Sequence, residues 1–317
     1  MKKRRFVPEM CMHIYQRTIS GFNIFYDHED YLVFYTIFSV TARMYNVRIL
    51  EMCIMYNHFH ILLEAESLEE MSRFVQRFTS VFTRIYNSDV GRTGSLFRKS
   101  YGSAIKREDK KVRSAIAYLG NNPVEKKLCI YADQYRWNFL AYGAEPHPFS
   151  FDQKITSRMK SLANACREAD AAFACLKHLN YAQIRRMFRK LATREKEYLT
   201  DYIINLYSPF CYDTLIGYFG TYEKLKLAIR SNTGSEYDLH EDYSPESDVA
   251  YGQMTEYLRR VHGLSQVRKV TVLPLDEKIA LAKELQQHIS ASMKQICRYL
   301  HIPLLCHRCH LKDLLRN

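Results

Sequence analysis

The sequence predicts an α+β fold in which a ferredoxin-like antiparallel sheet with helices is followed by an all-α C-terminal extension. Three observations predict it. Residues 53–63, Cys-Ile-Met-Tyr-Asn-His-Phe-His-Ile-Leu-Leu, place two β-forming apolar runs around a short turn. Strand and helix periodicities alternate in the order βαββαβ across residues 10–105. Beyond Pro148 only the helical period remains, so the later part of the chain must build its core from helices.

Taken in order, residues 10–19 with Ile14, Tyr15, Thr18 and Ile19 form the first strand, and Gly21-Phe22-Asn23 turns the chain. From Glu29 to Tyr45, Leu32, Phe34, Tyr35, Ile37, Phe38, Val40 and Met44 are too dense for a surface strand and suit a buried helix. Residues 47–55 and 59–65 give two strands separated by Tyr56-Asn57. Ser67-x-x-Glu70 then caps a helix running to about Asn87, whose Met71, Phe74, Val75, Phe78, Val81, Phe82 and Ile85 keep helical spacing. A loop with Gly91 and Gly94 leads to a short strand at 101–105.

Residues 106–122 read as a helix closed by Pro123, with Glu108 and Asp109 placed favourably for its dipole and Val112, Ala115, Ile116 and Leu119 as its apolar stripe. Tyr118 and Asn122 fall one turn apart on the flank of that stripe, which predicts that they border a cleft and not the core. Gly120 between them costs about 1 kcal/mol against Ala and is expected to loosen the last turn. Glu145-Pro-His-Pro148 is a linker-like break. Amphipathic helices follow over 150–231, then an acidic linker at 232–248 and helices near 250–262 and 275–288. The expected domains are therefore 1–145, a helical extension at 150–231, the linker, and a helical module at 249–317.

Composition bounds the partners. Lys and Arg number 46 against 34 acids, a formal +12 over 317 residues, which points to a polyanion such as nucleic acid or an anionic membrane surface. No apolar run of about 18 residues exists and no signal peptide follows the basic start, so a cytoplasmic, nucleoid-associated protein without a membrane partner is expected. Nine cysteines in apolar contexts read as reduced, buried thiols. Cys306-His307-Arg308-Cys309-His310 resembles half a zinc site, but no second ligand pair accompanies it and no metal is expected there.

The chemistry concentrates in two places. His58 and His60, two apart on a strand, project from one face and can hold one ion. With the amide oxygen of Asn122 they would let a divalent cation polarise a phosphodiester, while the Tyr118 hydroxyl attacks phosphorus to leave a phosphotyrosine. The chain has 24 tyrosines, and Tyr86 or Tyr101 offers the same group; the Asn122 spacing and the position of the motif select Tyr118.

These residues also carry a resemblance. Tyr-Asn-His-Phe-His-Ile-Leu-Leu (56–63), Gly-Ser-Leu-Phe-Arg-Lys-Ser-Tyr (94–101) and Ala-Tyr-Leu-Gly-Asn-Asn-Pro-Val (117–124) resemble motifs of REP-associated tyrosine transposases, within the single-tyrosine HUH (IS200-like) superfamily. The likeness covers roughly residues 8–142 and includes Tyr135-Arg-Trp-Asn-Phe-Leu-Ala-Tyr142. It implies an HUH transposase domain in which His58, His60 and Asn122 bind Mg²⁺ or Mn²⁺ and Tyr118 is the nucleophile. The implied substrate is single-stranded DNA flanked by hairpins, cut to a 5′-phosphotyrosine and a 3′-hydroxyl by a monomer or homodimer. A domesticated host nickase of repeated palindromic elements is the alternative within that chemistry, and a non-catalytic DNA-binding regulator the alternative outside it.

The DNA contacts expected from charge are Arg98, Lys99, Lys106, Arg107, Lys110 and Lys111, a basic run that only Glu108 and Asp109 offset. Phe97 and Tyr101 nearby suit either stacking on unpaired bases or a place in the core. In the tail, residues 292–315 have the spacing of a helix-turn-helix, with Arg308 and Lys312 available to a groove, or of a plain helical pair, since the turn carries no glycine.

Overall fold

The computed structural model describes residues 6–150, 159–232 and 246–303. Strands β1 (Cys11–Arg17), β2 (Arg48–Met55), β3 (His58–Glu64) and β4 (Gly102–Lys106) form one sheet of order β2-β3-β1-β4, antiparallel at every pairing. This is the ferredoxin-like arrangement. Helix α1 (His28–Met44) joins β1 to β2, and α2 (Leu68–Val90) joins β3 to β4. Asp27 caps α1 by accepting from the Glu29 amide, and the Ser67 hydroxyl caps α2 by accepting from the Glu70 amide.

Alternation divides the sheet. Met12, Ile14, Ile49, Met52, Ile54, Phe59, Ile61 and Leu63 pack on α1 and α2. The opposite face, through Cys11, Leu50 and Leu62, is covered by α3 (Asp109–Glu125). Pro123 lies inside α3 instead of ending it: one more turn forms beyond it, closed by Lys126 N–H donating to Asn122 O at 3.2 Å.

Helices α4 (Lys160–Ala174), α5 (Tyr181–Phe188) and α6 (Thr193–Tyr207) share their apolar cluster with α1 and the sheet. The Glu145–Pro148 stretch is not a loose tether, because the His147 ring stacks on Tyr198 at 4.4 Å and the Phe149 amide donates to Asp201. Proline spacing marks a break in periodicity but says nothing of what the flanking side chains touch. Helices α7 (Tyr212–Gly217) and α8 (Tyr222–Arg230) pack on the α3 side. Gly120 is explained there. A Cβ at that position would lie 2.8 Å from Ile229 Cδ1, so the glycine permits close approach of α8.

Helices α9 (Val249–His262), α10 (Leu275–His288) and α11 (Met293–Leu300) form a further apolar cluster that also takes in Tyr26. Between α9 and α10, the fully buried Arg268 reaches Glu29 at 2.8 Å, Asp89 at 2.8 Å and Asp30 at 3.4 Å, with its guanidinium 4.0 Å from the Tyr181 ring. One side chain thus ties this module to both helices behind the sheet. The acidic stretch 233–245, the Cys306–His310 segment and most of the second half of the predicted helix-turn-helix lie outside the described residues, and among the described residues no helix is long and apolar enough to cross a membrane.

Candidate active site

The face of the sheet under α3 is unusually polar for a buried surface. In register, Tyr15 lies opposite His60 and Arg17 opposite His58, so β1 and β3 present His13, Tyr15, Arg17, His58 and His60 on one side. The His58 and His60 rings stand 5.2 Å apart and nearly perpendicular. Across from them α3 brings Asn122, whose Nδ2 donates to His60 Nε2 at 3.2 Å, and Tyr118, whose ring is 5.9 Å from that of His60. Strand spacing and helix spacing therefore converge on one point.

The hydrogen bonds fix the tautomers. The Asn57 amide oxygen can only accept, so His58 Nδ1 is the protonated nitrogen in their 2.8 Å contact and Nε2 keeps its lone pair. Because Asn122 donates to His60 Nε2, the proton of His60 sits on Nδ1, from which it is given to His13 Nε2 at 3.0 Å. His58 is thus oriented through Nδ1 alone, the support that imidazole ligands of metals receive, while His60 is held through both nitrogens, by His13 and Asn122. Burial pushes both imidazoles well below the usual histidine range. Arg17 and Lys126 push His58 further down, and His58 and His13 do the same to His60. Both are neutral at physiological pH, the form that can donate a lone pair.

Tyr118 and Asn122 do not border an open cleft. Both are buried, Tyr118 within the cluster that α3 makes with the sheet. The helical wheel placed them on the flank of α3, but that side faces the sheet, where Asn122 meets His60 and the Tyr118 ring lies beside those of His13 and His60.

The basic run divides. Lys106 is buried at the end of β4 opposite Cys11, away from the exposed cations expected beside it. Arg107, Lys110 and Lys111 are exposed at the start of α3. Arg98 and Lys99 line a cleft of about 520 Å³ with Gln16, Ser72, Gln76, Thr79, Thr83, Arg84 and Tyr101, on the α2 side of the sheet. Tyr101 contributes there by bonding Ser72 at 2.9 Å, whereas Phe97 is core. Arg308 and Lys312 lie outside the described residues.

Sequence reasoning missed His13, Tyr15 and Arg17. The signal was their period of two along β1, but its meaning depended on β1 lying directly beside β3. Glu51 of β2 was missed as well: it is buried, neither carboxylate oxygen has a hydrogen-bond partner among the described residues, and burial raises its carboxyl well above the usual carboxylate range.

Fold and site together define a ferredoxin-like domain with a His-x-His strand facing a helix that carries Tyr and Asn. Residues 6–122 match the family model described as "Transposase IS200 like". None of the curated proteins matches the chain. Among solved structures, that of "the REP associates tyrosine transposase bound to a REP hairpin" is similar over 50% of this chain and 94% of its own, at 12% identity and a TM-score of 0.38.

Proposed function

We propose that this protein cuts and rejoins single-stranded, hairpin-flanked DNA through a covalent 5′-phosphotyrosine at Tyr118. The observation that carries this reading is the meeting of His60 with Asn122 at 3.2 Å beside the Tyr118 ring, inside the segment that matches the transposase family.

The site suits a divalent ion. His58 keeps its Nε2 lone pair while Nδ1 donates to Asn57, and the His60 Nε2 lone pair, which here accepts from the Asn122 amide nitrogen, would pass to an ion if that amide turned its oxygen to the ion instead. Among the described residues no group of three or more His, Cys, Asp or Glu is placed to hold an ion by itself. Two imidazoles with one amide leave positions for phosphate oxygens, and they favour Mn²⁺ somewhat over the harder Mg²⁺. When bound, such an ion would withdraw charge from the phosphodiester oxygens.

The chain's own residues do the rest. His13 and Asn57 orient the two imidazoles, and Asn122 fixes the α3 turn on which Tyr118 stands. Tyr118 supplies the attacking oxygen: its bond to phosphorus forms as the bond to the 3′-oxygen breaks, and reversal by a 3′-hydroxyl rejoins the strand. The test is incubation with a 5′-labelled and a 3′-labelled hairpin oligonucleotide in Mn²⁺. A protein–DNA adduct carrying only the 3′-labelled fragment, lost in excess chelator and in His58→Ala, is the expected result. Binding without any adduct would favour the non-catalytic regulator.

A further inference from the structure

A second charged cluster adjoins the histidines, and part of it comes from the C-terminal module. Arg17 lies opposite His58 in the sheet. Its guanidinium rests on Gly21, which has a φ of +68°, and the guanidinium of Arg298 from α11 rests on the same glycine. A Cβ there would be 3.2 Å from Arg17 Nη2 and 3.3 Å from Arg298 Nε. Lys126, just after α3, acts on His58 together with Arg17. Three cations from three separate parts of the chain therefore surround one edge of the site.

The arrangement is held in place. Asn23 N–H donates to the Arg298 carbonyl at 3.1 Å, the Tyr26 hydroxyl donates to the Tyr299 carbonyl at 2.6 Å, and His301 stacks on Phe22 at 4.6 Å. On the other side, Asp248 N–H donates to the Lys126 carbonyl at 3.0 Å, and Gln295 Nε2 donates to the Ser247 carbonyl at 2.7 Å. Arg298 is thus no wandering surface side chain, and its Nε has no acceptor among the described residues. Gathering like charges this closely costs energy unless an anion joins them. Asp248 is an acid on which Lys126, Arg17 and Arg298 all act, with Glu246 beside it; Arg298 also bonds the Tyr251 side chain, and the acids at the start of α1 are engaged by Arg268.

We propose that Arg17, Lys126 and Arg298 hold a backbone phosphate of the DNA strand beside His58 and His60, with Asp248 as the internal counter-ion that this phosphate displaces. The C-terminal module then completes the active site by contributing a positioning residue. This rests on the function proposed above, and it assigns to the helical extension a role at the cutting centre itself. Arginine suits the task, since its fork of donors matches phosphate oxygens.

The test uses the full chain and a single-stranded oligonucleotide titrated across a salt series. Arg298→Gln should weaken binding by roughly tenfold and lower the slope of log affinity against log salt by about 0.7, one phosphate contact on a single strand. Arg298→Lys should restore the slope but only part of adduct formation, because charge returns without the fork. Asp248→Asn, at an N-cap position whose side chain makes no capping hydrogen bond, should tighten binding. An unchanged slope in Arg298→Gln, or weaker binding in Asp248→Asn, overturns the proposal. A structural role alone would lower the activity of Arg298→Gln and Arg298→Lys alike without moving the slope. If the wild type forms no adduct yet Arg298→Gln changes the slope, the catalytic reading fails and the phosphate site stands; an adduct with an unmoved slope is the reverse.

Discussion

Replacing Gly120 by alanine pits two known effects against each other. In an unconstrained helix the change stabilises by up to about 1 kcal/mol, because alanine loses less backbone entropy on folding. Here the new methyl would meet Ile229 Cδ1 at 2.8 Å and Cγ1 at 3.1 Å, with Glu51 Oε1 at 3.4 Å. Good carbon contacts begin near 3.5 Å, and overpacking a buried site costs about 1–3 kcal/mol. Ile229 and Glu51 are both buried, so neither can swing into solvent. The clash should win, leaving Gly120→Ala about 1 kcal/mol less stable than the wild type. Ile229→Val removes the nearest atom and alone costs about 0.5–1.5 kcal/mol. In that background Gly120→Ala should be neutral or stabilising, a coupling of about 1 kcal/mol measurable by a double-mutant cycle in denaturant. A fully stabilising Gly120→Ala in the wild type, or purely additive mutants, would show that α8 does not press on α3 and that the glycine has another cause.

Glu51→Gln should raise stability at pH 8. The carboxyl is pushed up by burial, so the folded chain binds a proton that the unfolded chain releases above its ordinary value of 4.5, and stability falls as pH rises past that point. The amide removes that slope, and melting midpoints of mutant and wild type should converge near pH 4; parallel curves would show an ionised, paired Glu51. Arg268→Met should destabilise by about 3–5 kcal/mol, since it leaves Asp30, Glu29 and Asp89 facing one another with one partner fewer. That penalty should shrink towards pH 5 as the acids protonate, Asp30 first, its carboxyl already being pushed up to about 7 by burial and Asp27. A penalty independent of pH would assign the loss to packing on Tyr181.

Local periodicity located the four strands, and the helices near them, to within a few residues, because apolar spacing reports directly which face is buried. The His58–His60 pair and the Tyr118–Asn122 turn were legible for the same reason: each is a spacing within one element. What lay beyond the sequence depends on contacts between distant segments. His13, Tyr15 and Arg17 joined the site only through the order β2-β3-β1-β4. Gly120 makes sense only beside Ile229, and Arg268 only beside the acids of α1 and α2. Lys106 looked like one of a row of solvated cations, yet strand alternation turns it inward beside Cys11.

Tyr15 offers the sharpest challenge to the assignment of Tyr118. Its ring is 5.0 Å from His60 and 5.6 Å from His58, nearer to the pair than Tyr118. Tyr118 is preferred because it shares its α3 flank with Asn122, which touches His60. The decisive measurement is to digest the adduct formed with a hairpin oligonucleotide and locate the phosphonucleotide by mass spectrometry. The account predicts it on Tyr118 and no adduct in Tyr118→Phe; a nucleotide on Tyr15, or an undiminished adduct in Tyr118→Phe, would contradict it.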